Sequence, residues 1–226
     1  MSLGYRVYRE IPRPDPSIVQ QFAECFSADL ADAMKKAGAM RREIAPLYTP
    51  MPRFAGPAVT ASLPTGSFSM AKLAMEQCQP GDVLVLNAYG DVSHALLGGH
   101  IGHALKVRGI AGIIVDGAVR DVSDLQAEGL PIFARGTAMI VGGHDGPGEV
   151  NVPIACGNVV VNPGDIVVAD QDGIAVVPST EAEWVLQSIK ALKQAHARGD
   201  AAYDRGEIPG MQEVETTIRN AGCEFI

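Results

Sequence analysis

Apolar positions along the chain follow two different spacings. Short runs rich in valine and isoleucine, at Val83–Leu86, Ile110–Val115, Ile166–Val168 and Ile174–Val177, are bounded by turn residues and read as buried strands. Between them lie stretches that predict helices over Ala28–Ala37, Phe68–Gln77, His94–Val107 and Glu181–Ala197. In the last of these Trp184, Leu186, Ile189 and Leu192 recur at helical spacing, so it is expected to cap the core or to pack on another subunit. Strands alternating with helices predict a mixed α/β domain rather than a bundle or a sandwich.

The strand entries share one design. Pro80-Gly81-Asp82 precedes Val83-Leu84-Val85, and Pro163-Gly164-Asp165 precedes Ile166-Val167-Val168. Proline presets its own φ and glycine accepts the positive φ that follows, which makes a tight turn and launches a buried strand. Asp82 and Asp165 therefore read as turn caps rather than catalysts. Asp170-Gln171-Asp172-Gly173 reads as the turn of a hairpin ending at Pro178. Asp170 and Asp172 resemble a fragment of a calcium loop, but the downstream ligands such a loop needs are missing.

Composition narrows the functional classes. The 226 residues are 47% apolar, enough for one full core, and the net charge of -8 offers no basic surface for a phosphate backbone, so no nucleic-acid partner is expected. The apolar runs are far shorter than the roughly 20 residues a membrane span needs. Cys25, Cys78, Cys156 and Cys223 form no CxxC pair, which fits a soluble cytoplasmic protein with reduced thiols.

The chemistry is expected in one stretch. Gly98-Gly99-His100-Ile101 opens a helix that runs through Arg108-Gly109 to the strand at Ile110, which is expected to end in a turn at Asp116-Gly117 just before Arg120-Asp121. A glycine bend at a helix start leaves backbone N–H groups free to hold a carboxylate. Arg120 offers a planar fork for a carboxylate, and Asp121 a hard oxygen for a metal. On spacing alone, a packing role for the glycines and a plain surface ion pair fit about equally well. His100 and His103 are three apart and, with His94, could share a zinc, though no HExxH motif is present. His144, within Gly142-Gly143-His144-Asp145-Gly146, lies in a glycine loop that reads as a surface loop or a lid. GxGxxG, phosphate-loop and GxSxG motifs are absent, as is any methyl-donor nucleotide motif.

Taken together, several motifs resemble the RraA-like family, which includes class II 4-hydroxy-4-methyl-2-oxoglutarate aldolases with oxaloacetate decarboxylase activity. The likeness covers residues 23–180 and rests on Ser27 to Met34, Gly56-Pro57-Ala58-Val59-Thr60, the two Pro-Gly-Asp strand entries, Arg108 to Gly112 running on to Arg120-Asp121, Leu130 to Gly136, and the Asp-x-Asp-Gly hairpin. It implies a swivelling β/β/α fold with an N-terminal extension over 1–22 and a C-terminal helical tail over 181–226. It also implies a homotrimer or homohexamer with sites between subunits.

In the aldolase members the segment matching Gly98, Gly99, His100 and Ile101 binds substrate, Arg120 holds its pyruvyl part, and Asp121 ligates Mg2+ or Mn2+. The expected activity is a lyase releasing pyruvate from a small 2-oxo acid. The family's other known role, a non-catalytic regulator binding ribonuclease E, is the competing expectation. This chain departs from the pattern at Gly99, where an acidic residue is common, and around Gln194, His196 and Arg198, where no glutamate aligns with the one a neighbouring subunit donates. The general acid/base is thereby unassigned, with His100 and His103 as candidates.

Overall fold

The computed structural model describes residues 3–64 and 66–226. The first half of the chain forms β1 (Tyr5–Val7), α1 (Pro16–Ala23), α2 (Ser27–Ala33), β2 (Ala45–Pro46), β3 (Phe54–Ser62), α3 (Phe68–Gln77), β4 (Val83–Asn87) and α4 (Gly99–Arg108). Next come β5 (Gly112–Val119), α5 (Val122–Glu128), β6 (Ile132–Thr137), β7 (Gly148–Val150), β8 (Ile154–Cys156) and β9 (Val159–Val161). The hairpin β10 (Ile166–Ala169) and β11 (Ile174–Val177) is followed by α6 (Ala182–Tyr203) and α7 (Met211–Asn220). One compact unit ends at Leu186, and a second spans Gln187–Ile226. The second unit consists of the rest of α6 together with α7, whose Met211, Val214 and Ile218 are exposed. No helix among the described residues is long and apolar enough to cross a membrane.

Strands β3, β4, β5 and β6 lie side by side and parallel, and α3, α4 and α5 supply the crossovers that parallel pairing demands. β1 and β7 extend one edge and β2 the other, so residues of the expected N-terminal extension contribute a strand to the main sheet. Both faces of the sheet are covered, which is why β4 is apolar without interruption. Leu84 and Leu86 point into one core with Met70, Ala74 and Leu105, while Val83 and Val85 point into the other with Phe54, Ile114 and Phe133.

The repeated turns form as expected. Gly81 and Gly164 both have φ of +86°. Asp82 Oδ2 accepts from the amide of Gln79 at 2.7 Å, and Asp165 Oδ2 from that of Asn162 at 2.8 Å. Asp82 also pairs with Arg13, tying the N-terminal segment to the sheet.

Four boundaries differ from the periodicity, each for a local reason. α2 stops at Ala33 because Lys35 and Lys36 turn left-handed, at φ of 54° and 70°. α4 begins at Gly99 rather than His94, because the amides of Ala95 and Leu96 are taken by Ile140 O at 2.7 Å and Ala118 O at 3.0 Å. β5 does not end at Asp116-Gly117; its register against β6 shifts there and pairing resumes at Ala118 and Val119. α6 continues past Ala197 to Tyr203.

The calcium-like fragment has a structural role. Asp170 is buried, its Oδ2 accepting from Ser27 N at 2.8 Å and its Oδ1 from Ser27 Oγ at 2.5 Å and from Asp172 N at 3.0 Å. Phe26, at the N-cap of α2, cannot cap with its own side chain, so a carboxylate from the β10–β11 turn does so instead. Replacing Asp170 by Ala should therefore lower stability by about 1–3 kcal/mol, because buried donors lose their acceptor. Urea unfolding monitored by circular dichroism reads this loss.

Candidate active site

The C-terminal ends of β3, β4 and β5 open on one side of the sheet, where ligands of parallel α/β sheets commonly bind. The chain leaves β5 at Val119, and Arg120 is anchored at once by its amide, which donates to Leu97 O at 3.0 Å. That bond lays Arg120 and Asp121 alongside Gly98 and Gly99, residues more than twenty positions away in sequence.

Asp121 takes the left-handed conformation, φ 56° and ψ 46°, as the N-cap of α5. An N-cap aspartate ordinarily accepts from its own helix. Here the side chain makes no such bond, and Oδ2 instead accepts from Gly99 N at 3.0 Å, in the first turn of α4. Arg120 Nε lies 3.4 Å from the same oxygen. Asp121 Oδ1 has no hydrogen bond among the described residues. An exposed ion pair contributes at most about 1 kcal/mol, and a left-handed non-glycine residue costs about as much or more. The ion pair alone therefore does not explain this arrangement.

Gly98 is required by close approach. A Cβ on Gly98 would stand 2.4 Å from Asp121 Oδ2 and 2.9 Å from Arg120 Cγ. A Cβ on Gly99 would stand 2.9 Å from Asp124 Oδ2. Helix-to-helix packing is served by Gly102 instead, where a Cβ would meet Leu125 Cδ2 at 2.2 Å. The two roles left open by the spacing are thus divided between neighbouring glycines.

Gly98, His100, Ile101, Arg120 and Asp121 line one cavity of about 230 Å³, together with Phe68, Lys72, Leu97 and Val141. Gly99 is not on its wall and acts through its amide. Helix geometry leaves the amides of His100 and Ile101 without intrahelical acceptors, at the positive end of the α4 dipole. A second depression, lined by Val122, Thr137, Ala138 and Met139, meets the same Arg120 and Asp121.

The other expected ligands do not converge here. His103 Nδ1 is 2.8 Å from Glu128 Oε1, and His94 Nδ1 is 3.3 Å from Asp91 Oδ2. No group of three or more His, Cys, Asp or Glu side chains suited to a metal forms among the described residues, so the shared-zinc reading fails on geometry. His144 packs edge-on against Phe68 at 5.5 Å, and Gly143 O accepts from Phe68 N at 2.9 Å, which ties the glycine loop to the start of α3.

A single hard carboxylate with one oxygen free suits magnesium or manganese, which take few protein ligands and keep much of their water. Asp121 would hold the cation, and Asp124 places a second carboxylate where an acidic residue at position 99 would otherwise stand. Burial pushes the Cys78 thiol up to about 12 and raises that of Cys156 still further, so neither is a nucleophile at neutral pH. Arg135 is committed to the buried Asp116, which raises the guanidinium above its ordinary value.

Asp124, Phe68, Lys72 and Val141 were not anticipated as site residues. For Asp124 a signal existed: it lies three residues after Asp121, the spacing of one helical face. The other three are brought in by tertiary contacts, with no local pattern to mark them.

Substituting Gly98 by Ala should displace the Asp121 carboxylate while leaving the sheet intact. The expected result is an unchanged far-ultraviolet spectrum with at least about tenfold weaker Mg2+ binding by calorimetry.

A family model described as Aldolase/RraA matches residues 27–176. A Halalkalibacterium halodurans protein named "Putative 4-hydroxy-4-methyl-2-oxoglutarate aldolase" is 38% identical over 177 residues, covering 78% of this chain and 83% of that one. The solved structure of Streptomyces coelicolor RraAS2, titled an unusual member of the RNase ES inhibitor RraA protein family, superposes with a TM-score of 0.71 at 29% identity, covering 83% of this chain and 98% of that one. The Thermus thermophilis protein titled as the RNA-processing inhibitor RraA superposes with a TM-score of 0.63 at 30% identity, covering 69% of this chain and 93% of that one. With the family model spanning most of the chain and the same fold in these relatives, the protein belongs to the RraA-like family.

Proposed function

We propose that the chain is a lyase dependent on Mg2+ or Mn2+ that cleaves 4-hydroxy-4-methyl-2-oxoglutarate-type 2-oxo acids to pyruvate, decarboxylates oxaloacetate, or does both. The observation that carries this reading is the Asp121 carboxylate held across to Gly99 N, with its second oxygen free beside the Arg120 fork. The aldolase name of the 38% identical relative points the same way.

The bound cation would supply Lewis acidity beside the keto group. Arg120 grips the substrate's first carboxylate through its planar fork, and the amides of His100 and Ile101 complete the cradle. In the retro-aldol direction the C3–C4 bond breaks, the C4 hydroxyl loses its proton to become the keto group of one pyruvate, and the electron pair left on C3 is stabilised as an enolate. A proton then returns to C3, giving the second pyruvate. Loss of one preoriented donor typically costs about 3 kcal/mol of transition-state stabilisation.

His100 is the histidine that lines the cavity, whereas His103 is turned to Glu128. We assign proton transfer to His100. Decarboxylation needs no base for a hydroxyl proton, so it depends less on this residue. We further propose a homotrimer or homohexamer that closes the site between copies.

The competing reading is a non-catalytic regulator that binds ribonuclease E, supported by the titles of the two structural relatives. The two are separated by assaying pyruvate release from 4-hydroxy-4-methyl-2-oxoglutarate and from oxaloacetate with and without Mg2+. Activity is expected to disappear with a chelator and to return with Mg2+ or Mn2+. Asp121→Ala should abolish it, and Arg120→Lys should cost about a hundredfold or more, because lysine keeps the charge but not the fork. Full activity in Asp121→Ala would sink the metal assignment. Absence of cation binding together with capture of the ribonuclease would reverse the ranking.

A further inference from the structure

Beyond Arg120 and Asp121 the cavity is walled by Phe68, Leu97, Ile101 and Val141, an apolar passage that suits a carbon skeleton. Its wall also carries a second cationic side chain. Lys72 lines this cavity and also the adjoining depression that runs on to Met75, Glu76 and Arg108.

The neighbouring cations are matched. Arg120 faces Asp121 at 3.4 Å, and Arg108 faces Glu76 at 3.1 Å while also donating to Glu76 O and Cys78 O. Glu76 lies one helical turn after Lys72 on α3, at the spacing where helix ion pairs form, but Arg108 has taken it. Lys72 consequently has no carboxylate within ion-pair distance among the described residues. Its ammonium rests instead 4.8 Å above the Phe68 ring. A cation–π contact at an exposed site is weaker than a charge-assisted hydrogen bond, so an arriving carboxylate can draw the ammonium away from the ring.

We infer that Lys72 is a specificity-determining residue that receives the distal carboxylate of a dicarboxylic 2-oxo acid whose first carboxylate is held by Arg120. This rests on the proposed function, and it adds a reason for preferring dicarboxylic substrates. A ligand ending in an uncharged tail leaves Lys72 on Phe68 and gains nothing from it.

The test uses two ligands of equal chain length, 2-oxoglutarate and 2-oxopentanoate, titrated into the full-length Mg2+-loaded protein by calorimetry. The wild type should bind 2-oxoglutarate about tenfold more tightly. Lys72→Met should remove most of that difference by weakening 2-oxoglutarate alone, and Lys72→Arg should restore it. In pyruvate-release kinetics Lys72→Met should raise KM for 4-hydroxy-4-methyl-2-oxoglutarate far more than it lowers kcat. Equal wild-type affinity for the two ligands, or a parallel loss of both in Lys72→Met, overturns the assignment of Lys72 while leaving the proposed function standing. A wild type that binds neither ligand and releases no pyruvate overturns both.

Discussion

The hydrogen bond from Gly99 N to Asp121 Oδ2 constrains everything around it. With the carboxylate on that amide, a Cβ on Gly98 would collide with it, Asp121 adopts a left-handed backbone, and Arg120 is pinned to Leu97. A carboxylate at a helix start is favoured by the free amides and by the dipole, and a charge-assisted bond of this kind contributes about 1.5–3 kcal/mol. That is enough to offset the unfavourable backbone at Asp121. What remains after these demands are met is one carboxylate oxygen and one guanidinium, side by side at the mouth of the sheet.

The rest of the first unit serves to bring two distant segments to that contact. Parallel pairing of β4 and β5 places the segment before α4 and the segment before α5 at the same end of the sheet. The shifted register between β5 and β6 lets β5 run on to Val119 and deliver Arg120 at its tip. The apolar cores on both faces hold these strands rigidly, and Gly102 lets α4 and α5 approach closely enough to share the site. The stability of the fold and the precision of the site therefore have a common origin in the packing of the two cores and of α4 on α5 at Gly102.

Local chemistry was the part most legible in the sequence. The Pro-Gly-Asp turns, the strands they launch, the hairpin at Asp170–Gly173 and the whole of α3 follow from φ preferences and apolar spacing, which act within a few residues. Long-range pairing was not legible. Ala95 and Leu96 carry a helical pattern, yet their amides are claimed by Ile140 and Ala118. Asp116-Gly117 looks like the end of a strand, yet Asp116 is buried against Arg135 and the amide of Gly157. The site shows the same division. The glycine bend and the Arg-Asp pair could be read directly and Asp124 carried a helical-spacing signal, whereas Lys72 became visible only once α3 was placed against the cavity.

Membership in the RraA-like family joins relatives named for an aldolase and relatives titled as inhibitors of RNA processing, so the fold by itself does not choose between them. The lyase reading proposed above rests on the Asp121 carboxylate with its free oxygen beside Arg120. The most direct measurement is a crystal structure of the protein soaked with magnesium and pyruvate. The account predicts the cation on the Asp121 carboxylate and the pyruvate carboxylate on Arg120 and the α4 amides. A cation bound elsewhere, or no cation and pyruvate absent from the Arg120 fork, would contradict it.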